Sequence, residues 1–177
     1  ELVILSHPDF LSEANRLADI HEEHDGVNVL IVTPEQIYNE YSSGTPDATA
    51  IRLFMRQIYE SNDKANTYLL LMGDGSFDNR ALLRTSSTTI NNYLLTYQGG
   101  STYDESATYT TDDYFGMVAP EAFQYGKVCN GQILVGVGRF PVSSLQEATV
   151  MVNKVEKYLN ENDYGKWKNK ICLVADD

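Results

Sequence analysis

Carboxylates crowd two short stretches of this 177-residue sequence, and oxygen-rich turns of that kind suit hard cations. The first, LLLMGDGSFDNR at 69–80, ends an apolar run in Asp74-Gly75-Ser76-Phe77-Asp78. The second, TDDYFG at 111–116, supplies Asp112 and Asp113. Asp74-x-Ser76-x-Asp78 shares two positions with the Asp-x-Ser-x-Ser turn of metal-dependent adhesion sites. Its last position differs, and it follows a third strand rather than a first. A plainer reading carries more weight: Asp74 and Asp78 accept hydrogen bonds from turn amides and fix the backbone, as Asx turns do. No cofactor is required, and calcium is the cation that Asp74, Asp78, Asp112 and Asp113 would take. Gly73-x-Gly75 lacks the third glycine and the following helix of a dinucleotide site.

The nitrogen and sulfur groups are fewer. His21-Glu22-Glu23-His24 places its histidines three apart, whereas a zincin helix needs four. Two histidines near a helix C-terminus are explained by the macrodipole. His7 follows the first strand and could enter a site at its end. Cys129 precedes its strand, so it is expected to face away from the ligand edge and to be a poor nucleophile. Cys172 lies in the apolar run ICLVA and reads as a small buried hydrophobe. Two cysteines make neither a disulfide framework nor a cysteine zinc site. No Cys–His or Ser–His pair assembles from these residues.

The elements that must position the acids alternate. Strands are expected at 1–6, 27–32, 68–72, 132–137 and 170–175, with a short one at 93–97. Helices are expected at 11–24, after Thr33-Pro34, after Thr45-Pro46, and after the capping box Ser144-Leu145-Gln146-Glu147. Gly138-Arg139-Phe140-Pro141 reads as a turn, and 77–114 as a long polar loop. This order predicts an α/β domain with a mostly parallel sheet flanked by helices, and it puts Asp74 at a strand's carboxyl end, where such sheets bind ligands. The net charge of −12 argues against nucleic acid or an anionic membrane surface as partner. The sequence shows no signal peptide and no run long enough to cross a bilayer. A start at Glu1 and an end at Asp176-Asp177, on the edge of an expected strand, predict that residues 1–177 are one α/β subdomain of a longer protein.

Four motifs then fall in one order: LLLMGDGSFDNR (69–80), YTTDDYFGM (109–117), VGVGRFPVSSLQEATVMVNKVEKY (135–158) and WKNKICLVADD (167–177). Together they resemble the N-terminal subdomain of gingipain-type cysteine peptidases. YNEYSSGTPDATAIRLFM at 38–55 is similar to the sortase members of that family, which serve type IX secretion. The resemblance implies a caspase-like fold in two subdomains. The catalytic His, in a Gly-His-Gly turn, and the nucleophilic Cys belong to the second subdomain, and this sequence has neither. Cys129-Asn130-Gly131 stands before the GRFP segment, so the nucleophile's role is not carried to it. The resemblance places an acid that assists the His at Asp177, or at Asp176 if the register slips by one. It also implies calcium binding, protein substrates carrying C-terminal sorting domains, a catalytic subdomain outside this chain as partner, and a secreted or outer-membrane surface location in a Bacteroidetes-type bacterium. Three readings follow: an inactive-by-itself first half of a cysteine endopeptidase, a metal-dependent adhesion domain, or a non-catalytic scaffold.

Overall fold

The computed structural model describes residues 1–83, 92–99, 109–119, 131–161 and 165–174. Four parallel strands form the central sheet: β1 (Leu2–Ser6), β2 (Val29–Val32), β3 (Tyr68–Met72) and β6 (Gly136–Phe140), in the order β2-β1-β3-β6. β4 (Tyr97–Gly99) and β5 (Tyr109–Thr111) make a separate antiparallel pair. The helices are α1 (Leu11–Asp25), α2 (Pro34–Tyr41), α3 (Ala48–Ser61), the short α4 (Asp113–Gly116) and α5 (Leu145–Asn160).

Alternation along the strands sends side chains to two apolar layers. Val3 and Leu5 of β1, with Leu69 and Leu71 of β3, meet Ile37, Ile51, Met55, Tyr114 and Phe115 from α2, α3 and α4. Ile4 and Met72 point the other way, against Leu17 and Ala18 of α1 and Ala148 and Val152 of α5. Helices therefore cover both faces, as an all-parallel sheet requires. On the second face Arg16 pairs with Glu13 and with Glu156, and Thr149 Oγ1 donates to Glu13 at 3.1 Å, tying α1 to α5.

Local signals set most boundaries. Gly26, at φ +64°, ends α1 in the left-handed region. Thr33 and Gln36 form a capping box at the start of α2, with Pro34 in the first turn. Ser144 Oγ accepts from the Glu147 amide at 3.2 Å and starts α5. The Glu147 carboxylate accepts from the Ser143 amide instead of the Ser144 amide.

Several expectations need correction. The fourth strand of the sheet runs 136–140 rather than 132–137, so Gly138, Arg139 and Phe140 lie inside it and pair with Leu70, Leu71 and Met72. The apolar run at 133–135 hides the shift, because Val135 is buried against α4 before the strand begins. The cap of α3 is Asp47, whose carboxylate accepts from the Thr49 amide at 2.8 Å, and not Thr45. The strand expected at 93–97 begins at Tyr97, because Tyr93 and Leu94 spend their amides on Asp74 O. Residues 170–174 form no strand: Ile171, Leu173 and Val174 are 89%, 89% and 94% exposed, and Cys172 is exposed rather than buried. A run rich in strand formers becomes a buried parallel strand only with a paired neighbour and two covered faces, and among the described residues it has neither. Ala175 lies outside the described residues, as does much of the 77–114 loop.

The core's weight on both faces of β3 generates a prediction. Leu71→Ala should lower unfolding free energy by roughly 3 kcal/mol, while Tyr158→Ala, on the exposed side of α5, should change it by less than about 0.5 kcal/mol. Urea unfolding followed by circular dichroism checks both.

Candidate functional site

The chain passes from β1 to β2 on one side, then crosses to β3 on the other side of β1. That reversal falls between β1 and β3, whose carboxyl ends form the usual ligand edge of an α/β sheet. Three strand exits line the edge. His7 leaves β1 and donates its amide to Met72 O at 3.2 Å. Gly73 and Asp74 leave β3 and donate to Phe140 O at 3.0 Å and Val142 O at 2.9 Å, which holds the β6 exit beside them. The segment after residue 92 closes over the top, with Tyr93 and Leu94 amides both bonded to Asp74 O.

The Gly-Asp-Gly turn is dictated by space. Gly73 sits at φ +151°, where a Cβ would meet Tyr93 Cβ at 3.0 Å. A Cβ on Gly75 would run into the Leu94 carbonyl oxygen. Asp74 Oδ1 accepts from the Gly75 amide at 2.9 Å, and Ser143 Oγ lies 3.4 Å from Asp74 Oδ2. His7 Nδ1 accepts from the Asp9 amide at 3.3 Å, and its ring meets Tyr93 edge-on at 5.0 Å between centroids. The Tyr93 hydroxyl donates to Ser143 O at 2.8 Å.

Arg139 is the residue that the sequence reading missed. It stands opposite Leu71 in the sheet, with its side chain only 11% exposed. Nε and Nη2 bond to Asp112 Oδ2 and Oδ1, each at 2.7 Å; Nη1 donates to Gly73 O at 2.8 Å, and Nη2 also to Leu95 O at 3.0 Å. One signal could have found it: an arginine beside an apolar run, drawn out of water, needs an acid, and Asp112 stood in view as a supposed metal ligand. Nearby, burial pushes the Tyr38 hydroxyl up to about 12, with Asp47 adding to the shift and Arg139 opposing it. Arg52 was missed as well. It lies buried on α3, donates to Met117 O at 2.6 Å and sits 5.3 Å from the Tyr114 ring centre, while Tyr114 stacks on Tyr97 at 3.7 Å.

The four candidate acids do not come together. Among the described residues no three His, Cys, Asp or Glu side chains are grouped to hold a metal ion. Asp112 is committed to Arg139. Asp78, buried at the turn, accepts from the Leu83 amide at 2.7 Å. Asp113 is exposed, and its amide donates to Thr111 Oγ1. These residues as arranged do not fit a calcium site. His21 and His24 each bond through Nδ1 to one oxygen of Asp25, both at 2.7 Å, and those two bonds hold the Asp25 carboxyl below its ordinary value. In the sequence the two histidines stand out, and Asp25, one residue on, does not. Cys129, Asp176 and Asp177 lie outside the described residues.

The whole chain, residues 1–177, matches the family model for peptidase family C25. The chain belongs to peptidase family C25. Among solved structures it is similar to dimeric latent PorU from Porphyromonas gingivalis, with 36% identity over 96% of this chain and a TM-score of 0.80. It shares its fold with the pro- and mature-domain complex of Porphyromonas gingivalis RgpB (16% identity, 89% of this chain, TM-score 0.56) and with the Arg-specific cysteine proteinase gingipain R (18% identity, 89%, TM-score 0.58). No curated protein matches. The chain spans 16% of the PorU chain and 29% and 28% of the two gingipain chains. The caspase-like architecture expected from the motifs, a mostly parallel sheet flanked by helices, is the one these structures share with it.

Two outcomes follow from the turn. Gly75→Ala should destabilise the protein by about 2 kcal/mol or more, because the obstacle is a backbone carbonyl and not a movable side chain; thermal melts read this. Amide bonds from Leu83 and its neighbours hold the Asp78 carboxyl below its ordinary value. A depressed folded-state pKa means that its stabilisation is complete above the unfolded value, about 3.9, and is lost as pH falls through the folded value. Asp78→Asn should therefore melt lower than the parent at neutral pH, and the gap should close on acidification below about pH 4.

Proposed function

We propose that this chain is the non-nucleophilic half of a sortase-type cysteine endopeptidase. The observation that carries the reading is the PorU likeness over nearly the whole chain, joined to the absence of a Gly-His-Gly turn from the sequence. On this reading the thiolate and imidazole lie beyond residue 177. The thiolate attacks the scissile carbonyl, the imidazolium protonates the leaving amine, and a thioester passes the acyl group to water or to an acceptor amine. The substrates are secreted proteins with C-terminal sorting domains, processed at the surface of a Bacteroidetes-type cell for type IX secretion. The contribution of this half is a rigid wall beside the catalytic centre, together with one acid. Asp177, or Asp176 one residue earlier, would accept a hydrogen bond from imidazole Nδ1–H, fix the tautomer and stabilise the imidazolium.

The adhesion reading draws less support, because the Asp74–Asp78 turn and Asp112 spend their carboxylates on amides and on Arg139. A scaffold reading would gain support from a full-length sequence with no downstream Gly-His-Gly turn and no strand-end cysteine.

Single-turnover processing of a sorting-domain substrate by the full-length protein tests the reading. Asp177→Asn should lower the chemical step by about 10³-fold or more with an unchanged melting temperature and little change in substrate binding. Asp176→Asn should do less. Full turnover in both variants would remove the acid from this half. Purified residues 1–177 should show no thiol-dependent turnover; activity abolished by Cys129→Ala would overturn the assignment.

A further inference from the structure

The helices of this fold are covered unequally. Among the described residues α1 and α2 expose no large hydrophobic side chain, and α3 exposes Leu53 alone. α5 exposes three: Leu145, Val150 and Tyr158, the last two at 59% and 66%. Position on the helix shows where they point. Thr149 and Glu156 bond to Glu13 and Arg16 of α1, so they mark the flank that faces α1. A helix turns by about 100° per residue, so Met151 and Tyr158, two residues beyond each, lie on the opposite flank. α1 packs over β1 and β2, which puts that opposite flank of α5 on the β6 side of the sheet. Between it and the exit of β6 a hollow of about 400 Å³ is lined by Pro141, Val142, Gln146, Glu147, Val150 and Met151.

The strand beneath is open as well. The Gly136 amide donates to Thr67 O at 3.2 Å, and Phe140 O accepts from the Gly73 amide at 3.0 Å. These groups point toward β3, so in a parallel ladder the backbone of Val137 and Arg139 points the other way. Among the described residues no strand pairs on that side. The other edge of the sheet is guarded: the Glu22 carboxylate accepts from the Val29 amide of β2 at 3.4 Å, and a charge set on an edge blocks further pairing. The one charge on β6, Arg139, is spent on Asp112. The chain that follows α5 lacks cover too. It passes through a single turn at Lys166–Asn169 to 170–174, which has strand composition and three apolar side chains almost fully exposed.

We infer that the far flank of α5 and the open edge of β6 seat the catalytic subdomain itself, and that the same body orders 170–174. The tether selects this occupant. One short stretch of chain joins the uncovered helix to the uncovered segment, so whatever holds 170–174 lies beside α5. A body in the same polypeptide meets the flank at high effective concentration, which no free partner matches. Such a joint buries an apolar helix face and a strand edge together, the two features that a finished α/β surface does not leave open. This rests on the endopeptidase reading and deepens it, because it names the surface through which the non-nucleophilic half holds the catalytic one. The flank is free in residues 1–177, where Tyr158→Ala is nearly silent; in the full-length protein it is covered.

The test is hydroxyl-radical footprinting of the full-length protein, with each rate compared with that in the urea-unfolded chain. Tyr158 should be protected about tenfold or more, and amides at 171–174 should exchange slowly. Val150→Glu, which sets a charge in the hollow, should raise the Tyr158 rate about fivefold, while Leu53→Glu, the same change at an exposed site on α3, leaves it unmoved. A Tyr158 rate near the unfolded value in the parent protein, protection that ignores Val150→Glu, or unstructured exchange at 171–174 would overturn the seat. So would protection that disappears on dilution as light scattering shows a dimer dissociating, since a second copy would then be the occupant. A covered flank in a protein that processes no substrate would retire the peptidase reading and leave the seat standing; processing with the flank exposed would do the reverse.

Discussion

A single guanidinium holds the ligand edge of this fold together. Arg139 projects from β6 and binds both oxygens of Asp112, the carbonyl of Gly73 and the carbonyl of Leu95. Those acceptors belong to three stretches of chain: the turn after β3, the segment leading into β4, and the residue between β5 and α4. The planar fork meets a carboxylate with two parallel bonds and still has donors for two carbonyls, which a lysine ammonium cannot match in that geometry. Removal of the fork would leave Asp112 and two carbonyls without their partner in a site largely closed to water, which is why one side chain governs so much backbone.

Around that fork the packing becomes intelligible. Asp112 is held at the start of α4, and α4 delivers Tyr114 and Phe115 to the core beneath the sheet. Tyr114 in turn stacks on Tyr97 of β4 and lies under Arg52 of α3. Arg139 bonds the Gly73 carbonyl while Gly75 lets the Leu94 carbonyl approach, so the segment after residue 92 packs directly on the strand exits. Chemistry in a fold of this kind is set by the residues added at its edge, and the fold alone does not supply it.

Much of this was legible in the sequence. Apolar runs of four to six residues and helices with explicit caps located β1, β3, α1, α2 and α5 to within a residue or two, because those signals are local. The errors arose where tertiary context decides. The apolar character of Ile133, Leu134, Val135 and Val137 could not reveal that the strand starts only at Gly136, since Val135 is apolar for a different partner. ICLVA has strand composition, but a strand's stability is supplied by neighbours, and 170–174 has none among the described residues. At the site, Asp112 was visible and its role was not: an acid in a loop reads alike as a cation ligand or as an arginine's partner until the arginine's position is known. Asp25 was hidden in the same way by the two histidines that precede it.

Arg139 and Asp112 act as one unit that sets the edge. The direct measurement is a double-mutant cycle on Arg139→Met, Asp112→Asn and the pair, by urea unfolding with hydrogen exchange read at 92–99 and 109–119. A coupling free energy of roughly 2 kcal/mol is expected, with faster exchange in both segments in either single variant. Additive effects within about 0.5 kcal/mol, with exchange in the two segments unchanged, would contradict it.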